Sequence, residues 1–585
     1  MTGWIFPLSA RLRILTQARG MTASLGRQLG PWLLVLLAPA CGQKTSDAGP
    51  SDTAGGGSLG QSGGAGPAGA ESGGGSGGEV NSPSGGSGAM EPGTGGSDSG
   101  GTLVESGADP IYLKASNADA GDLFGGSIAL SGDALTLAVG ASREASAVAD
   151  ATFEDNAAAD SGALYVFSAE GGPFEQNAYL KADDPLTGDV FGSAVALSAD
   201  GKTLAVGAPY EMSATENGED ALDDAGGVYL FEREDDTWRL QEHIKPSVPQ
   251  EDSFFGISLS LSQDGSTLAV GAEGENSAST GVEGDPYDDS AGDAGAVYVF
   301  RQTDELWQQD AYLKASNAEA GDRFGGSVAL SADGTSLAVG AYWEDGAGSG
   351  NGGDQQSNSA SYAGAVYVFE RDSSSWRQLS YLKPSHNSGD GSNSFGVSVS
   401  LSGDGKTLAV GASGDSSGAV GIDGDQTDSS APFAGAAYVF QSEDGTSWQE
   451  AAYLKAANAD AGDEFGGALS LSADGRVLLV GAAFEGSDPS SGDAENNAAL
   501  EAGAAYLFRV ENEAWQQAAF LKAIEGDAGD RFGWSTALSA DGAVLAVGAS
   551  RESSAARAID GDREDNSAPR AGAVYIYPAQ DSLQQ

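Results

Sequence analysis

The pair Phe-Gly recurs seven times at near-constant spacing, and this recurrence constrains the fold more than any other feature of the chain. The copies are Phe124-Gly125, Phe191-Gly192, Phe255-Gly256, Phe324-Gly325, Phe395-Gly396, Phe465-Gly466 and Phe532-Gly533. Successive starts lie 67, 64, 69, 71, 70 and 67 residues apart. A period of this size marks a repeat architecture, in which each unit buries its apolar face against the next.

Each unit holds four short apolar runs. In the fourth these are residues 324–330, 336–341, 365–369 and 376–383. All are of strand length, and none has helical periodicity. The third run, Ala365-Val-Tyr-Val-Phe369, lacks polar alternation, so both of its faces are expected to be buried. Four-stranded sheets packed face to face around an axis satisfy that demand. The expected fold is therefore all-β, a seven-bladed β-propeller of four-stranded blades. Small residues such as Gly125, Gly126, Ser127 and Ala129 suit the crowded strand nearest the axis. Asp-Gly pairs at Asp200-Gly201, Asp333-Gly334, Asp404-Gly405, Asp474-Gly475 and Asp541-Gly542 predict tight turns between the first and second strands. The Tyr-Leu-Lys run appears first at Tyr112, before any Phe-Gly, and is missing after Tyr577. Residues 111–115 are therefore expected to close the seventh blade.

Phe-Gly followed by Val-Gly-Ala, with Gly207-Ala-Pro209 in the second unit, resembles the FG-GAP repeat of integrin α-chain propellers and of bacterial surface proteins. The resemblance covers residues 110–577 and implies a propeller, while leaving function open, because this fold hosts binders and enzymes alike. Integrin-type repeats often carry a calcium loop between their first two strands. Here that link is the short turn at Asp200-Gly201, so that calcium site is not carried over. The turn also resembles the Asp box of sialidases, but Leu204 stands where that motif has Trp.

Ahead of the repeats, residues 31–40 form an apolar run too short to span a membrane, with Arg27 before it and small residues at its end. This is the pattern of a secretory signal, residues 1–40, with Met21 as an alternative start. Cys41 is the single cysteine, and Ala-Pro-Ala-Cys resembles a bacterial lipobox, which implies lipidation there. Gly42 after the cysteine leans towards the outer membrane. Residues 42–107 are rich in Gly, Ser, Ala and Pro and read as a flexible tether with a reach of roughly 40–50 Å. The propeller is expected over 108–578, with a tail at 579–585.

The chain carries 84 acidic and 28 basic residues, a net charge of -56. That balance argues against nucleic acid and anionic membrane surfaces as partners and favours cations or basic ones. The excess length of each repeat lies between its second and third strands, and these loops are acidic. Asp423, Asp425 and Asp428 recur as Asp560, Asp562 and Asp565, and the third unit has Asp285 and Asp288. Such carboxylates read either as weak Ca²⁺ ligands or as Asx turns. Gly-Asp precedes Phe at Asp122, Asp189, Asp322, Asp463 and Asp530, with Ser253 and Asn393 in the other two units. These acids are expected to cap local backbone N–H groups.

No phosphate loop, zinc spacing or nucleophile elbow is present, and the two histidines, His243 and His386, lie in different repeats. His243 replaces the Tyr of Tyr-Leu-Lys and reads as a packing variant. Trp238, Trp307, Trp376, Trp448 and Trp515 open the outer strands and read as packing residues. Bases in the long loops are few, chiefly Arg143, Arg551, Arg557, Arg563 and Arg570. Two functions are expected from this pattern. One is a monomeric, non-catalytic surface module for protein or polysaccharide, with calcium as a candidate cofactor. The other is a lyase or glycosidase using the acidic loop face.

Overall fold

Apolar runs of strand length pair in chain order and make each repeat a four-stranded antiparallel sheet. The computed structural model describes residues 109–148, 156–214, 221–386, 393–491 and 493–578. Cys41, the signal and tether segments and the tail at 579–585 lie outside the described residues. The fourth blade runs outward from Phe324–Leu330 through Ser336–Ala341 and Ala365–Arg371 to Trp376–Leu382. Its third strand is buried along both faces from Ala365 to Phe369, as the unbroken apolar run requires. The other blades repeat this order, and the seven form a ring, a β-propeller. The outermost strand of the seventh blade is Ile111–Leu113, in register Ile111 to Ile576, Tyr112 to Tyr575 and Leu113 to Val574.

The Phe of each Phe-Gly is the centre of its blade's core. Phe324 is fully buried and meets Tyr367 and Phe369 edge-on, with ring centroids 5.3 and 6.0 Å apart. Phe124, Phe191, Phe255, Phe395, Phe465 and Phe532 make the same two contacts in their own blades. Edge-to-face geometry sets the positive ring edge against the negative π face, which adds to the burial itself. The following Gly carries the axial contact. The Ser327 hydroxyl donates to the Gly396 carbonyl of the next blade at 2.8 Å, and Ser535 closes the circle on Gly125 at 2.8 Å. A Cβ on Gly340, of Val-Gly-Ala, would drive into that same Gly396 carbonyl, so only glycine fits there.

A second circle runs through the turns between first and second strands. Gly132 N–H bonds the Ala199 carbonyl, and the chain of bonds continues through Gln263, Ala332, Gly403, Ala473 and Ala540 back to Gly132, at 2.8–3.0 Å throughout. The five predicted Asp-Gly turns supply five of its members, Asp264-Gly265 a sixth, and in the first blade Ala134 takes the glycine's place at φ 60°. Gly334 takes φ 66°, and Asp333 Oδ1 accepts from Ser331 Oγ and Thr335 N at 2.7 and 3.0 Å. The turn chemistry that shapes one hairpin thus also presents the peptide that ties it to its neighbour.

Candidate ligand-binding face

The loops joining second to third strands and the loops joining blades are laced together by backbone hydrogen bonds. Leu123 N–H donates to the Arg570 carbonyl at 3.1 Å. The same bond joins Val190 to Asp160, Phe254 to Asp224, Arg323 to Asp293, Ser394 to Tyr362, Glu464 to Phe433 and Arg531 to Glu501. Both residues of every pair have positive φ, for example 60° at Arg323 and 58° at Asp293. Side chains held in this sparsely populated region persist only where surrounding structure over-determines them. In five of the seven blades a third residue, two positions after Val-Gly-Ala, joins the pair through the residue before its first member. Arg143 N–H bonds Asp122, Trp343 bonds Asp322 and Arg551 bonds Asp530, at 3.1–3.4 Å.

These triplets differ in chemistry from blade to blade, while the backbone beneath them repeats. Between the third and fourth blades, Arg323 lies 4.9 Å over the Trp343 ring and pairs with Glu273 at 3.3 Å and Asp293 at 3.4 Å. Tyr342 donates to the buried Glu273 at 3.0 Å, and burial pushes the Glu273 carboxyl pKa up. Tyr210 packs on Phe254 at 5.3 Å, and Trp343 on the half-exposed Tyr362 at 5.5 Å. Arg531 lies against both Phe484 and Trp534, 4.2 and 5.4 Å from their ring centroids. In sequence the arginines look scattered. Folding separates them into two groups, because Arg570 and Arg143 come from opposite ends of the chain and meet at the junction of the seventh and first blades. Arg557 and Arg563 do not join them, since Arg557 pairs with Asp119 at 3.0 Å and Arg563 bonds the Pro110 carbonyl at 3.2 Å.

The footing of this face is a Lys–carboxylate ion pair in every blade, buried in all but the second, which sequence reasoning missed. Lys383 Nζ lies 2.7 Å from Glu344, with both side chains withdrawn from solvent. Glu344 also accepts from Tyr381 Oη at 2.9 Å, Asn317 at 3.0 Å and Gly346 N–H at 3.0 Å. The root of the long loop is thereby pinned to the outer strand. Equivalent pairs are Lys114–Glu552, Lys181–Glu144, Lys245–Glu211, Lys314–Glu275, Lys455–Asp415 and Lys522–Glu485, at 2.5–3.2 Å. The signal was present as Val-Gly-Ala-x-x-Glu, with Asp in the fifth copy, and the Lys of Tyr-Leu-Lys. His243 stacks on Tyr229 at 4.0 Å and reaches Glu211 at 3.2 Å, so it also fills the polar role of the tyrosine.

The Gly-Asp acids sit beside these pairs and cap backbone as expected. Asp322 Oδ2 accepts the Glu319 N–H at 2.9 Å, and Asp122, Asp189, Asp463 and Asp530 accept from the residue three before them at 2.8–2.9 Å. Burial pushes Asp122, Asp322, Asp463 and Asp530 up to about 7 and Asp189 to about 6, from 3.8. A carboxyl raised in the fold stabilises the fold below its unfolded value, and this contribution is lost as pH climbs through the folded one. The melting temperature is therefore expected to fall as pH is raised from about 5 to about 8 at fixed ionic strength. Asp322→Asn should flatten the slope, and a melting temperature that rises over this window would contradict the assignment.

The eight loop aspartates are used locally. Asp425 Oδ1 accepts from Thr427 N at 2.9 Å, and Asp428 accepts from Gly418 N at 3.1 Å and Ser430 N at 3.0 Å. Asp562 and Asp565 repeat this with Glu564 at 3.1 Å and with Ala555 and Ser567 at 3.3 and 3.0 Å. Asp285 and Asp288 do so with Tyr287 at 3.0 Å and with Ala278 and Ser290 at 3.0 and 3.1 Å. Asp423 and Asp560 instead fold back onto the outer strands, accepting from Tyr453 and Tyr112 N–H at 3.0 Å. Among the described residues no three His, Cys, Asp or Glu side chains converge as a metal site. Trp238, Trp376, Trp448 and Trp515 are buried, and Trp307 packs partly buried against the core, consistent with their packing role.

Fold and loop face together define a seven-bladed propeller that presents a chemically varied face on a constant frame. The chain matches the FG-GAP repeat over residues 112–167, 174–231, 307–369, 448–508 and 515–577, more than half of its length, and belongs to that family. No curated protein matches it. The matched segments begin on an outer strand and end on the third strand of the next blade, so the sequence repeat straddles two blades. The unmatched third and fifth units are those with Ser253 and Asn393 in place of the capping Asp, yet both form complete blades.

Proposed function

We propose that this protein is an exported surface module, lipid-anchored through Cys41 at the outer membrane, whose monomeric propeller binds an extracellular protein or polysaccharide without catalysis. The observation that carries this reading is the set of junction triplets. Seven equivalent places hold different aromatic, cationic and anionic groups on a repeated backbone, an arrangement suited to recognition. The signal-like segment before Cys41 supports export. The Glu273, Tyr342 and Arg323 cluster favours a second reading as a lyase or glycosidase, since it joins a carboxyl, a phenol and a guanidinium.

The test is an array of glycans and extracellular proteins probed with the purified chain in millimolar Ca²⁺ and in chelator. Selective capture is expected, without turnover of the captured ligand. Capture of nothing overturns the binding reading, and turnover lost in Glu273→Gln replaces it with the enzymatic one. Ca²⁺-dependent capture lost when Asp423, Asp425 and Asp428 become Asn would assign those loops to the cation.

A further inference from the structure

Loop length divides the outer edges of the blades into two kinds. In four blades the ion-pair carboxylate and the glycine before the third strand lie 20 residues apart: Glu275 and Gly295, Glu344 and Gly364, Asp415 and Gly435, Glu552 and Gly572. These longer loops fold back onto the outer strand of their own blade. In the fifth, Asp423 N–H donates to the Tyr453 carbonyl and Lys455 N–H to the Gly421 carbonyl, both at 2.8 Å, with Ile422 antiparallel to Leu454. Asp423 Oδ1 returns the contact by accepting the Tyr453 N–H at 3.0 Å. Glu283 accepts from Tyr312 at 3.1 Å and Asp560 from Tyr112 at 3.0 Å in the same way. Val282, Ile422 and Ile559, each one position before its acid, pack against the neighbouring cores. In the sixth blade the spacing from Glu485 to Gly503 is 18, and the shorter loop closes on itself, with Asp488 N–H on the Asn496 carbonyl at 2.9 Å. Among the described residues no segment pairs with the outer edge of its Ala514–Leu521 strand. The N–H and C=O of Phe520 and the N–H of Lys522, which match the paired groups of Tyr453 and Lys455, have no backbone partner there. Leu521 is 7% exposed, where Leu313, Leu382 and Leu454 are 0%. In the first and second blades part of the corresponding loop lies outside the described residues.

We propose that the outer edge of the sixth blade receives an extended segment of a partner protein, antiparallel to the outer strand, in which valine or isoleucine is followed by aspartate or glutamate. The covers of the other blades define that pattern. The acid takes the Phe520 N–H, its own N–H meets the Phe520 carbonyl, and the β-branched residue fills the groove beside the core. Backbone bonds supply affinity in such strand addition, and the alternate side chains supply specificity. A glycan has no evenly spaced N–H and C=O pairs to offer a sheet edge. In a second copy of this chain the matching segments are already used in their own blades. The site lies on an outer strand rather than at the junction triplets, and goes beyond the loop-face reading.

The probe is a peptide copying residues 418–425, added to the purified full chain, with amide hydrogen exchange resolved to Phe520 and Lys522. In the free chain these amides are expected to exchange faster than those of Tyr453 and Lys455, and the peptide to slow them. Asp423→Ala in the peptide should weaken binding by about tenfold. Methylating the backbone nitrogen of that aspartate removes the donor to the Phe520 carbonyl and should abolish binding. A chain in which residues 416–434 replace residues 486–502 should cover its own edge, so that Phe520 and Lys522 are slow without peptide. Melting curves report whether that graft folds, and the peptide variants test the unaltered chain in either case. Slow exchange in the free chain overturns the proposal, since the edge is then covered by the chain itself or, if it elutes as a dimer, by a second copy. Failure of the peptide to slow the two amides, or equal slowing by the methylated peptide, also overturns it. Capture by the loop face is scored separately on the array, so either result can stand without the other.

Discussion

Replacing Lys383 by Met is expected to destabilise the propeller by ~3–5 kcal/mol, because Glu344 is then left in a buried site without its counter-ion. The tyrosine, amide and backbone donors around Glu344 still hold the carboxylate, so it cannot turn to solvent without opening the loop root. Adding Glu344→Gln should recover part of the loss, since the amide oxygen still accepts from Tyr381 while no charge remains. Lys245→Met should cost less, because Lys245 and Glu211 keep partial solvent access and His243 also reaches Glu211. Urea titrations of the four proteins measure this. A cost below ~1 kcal/mol for Lys383→Met, the range of exposed pairs, would show that the pair does not hold the blade.

Removing residues 109–116 is expected to cost more than any single substitution. Tyr112 and Leu113 are fully buried, each worth ~1.5–3 kcal/mol by burial alone, and loss of Lys114 leaves Glu552 in the position described for Glu344. The Ala573–Tyr577 strand would also become a free edge, exposing unpaired backbone groups to other chains. The truncated protein should melt lower and elute as larger species on gel filtration. Parent-like melting and elution would show that the strand is dispensable.

What was legible in the sequence followed from repetition and local stereochemistry. Phe324 and its copies, the turn glycines and the unbroken third strands each impose a local condition that seven copies make plain. The capping role of Asp322 was legible for the same reason, since its partner lies three residues away. The buried ion pairs were not. Lysine is usually exposed, and Lys383 meets a carboxylate 39 residues earlier, across a loop whose path the sequence does not give. The arginine cluster was least legible of all. It depends on ring closure, which brings Arg143, near the first blade's start, beside Arg570, near the last blade's end.

The closing strand has a mechanical consequence. Tension transmitted along the chain from its N-terminal side enters the propeller at Ile111–Leu113, three residues paired with Ala573–Tyr577. That load falls first on the buried Lys114–Glu552 pair and the Tyr112–Tyr575 stack, beside the junction that gathers the arginines. The bonds that resist being pulled off therefore sit at the one seam of the ring that joins segments far apart in the chain. A tug on the chain strains that seam before it reaches the six blades built from contiguous sequence.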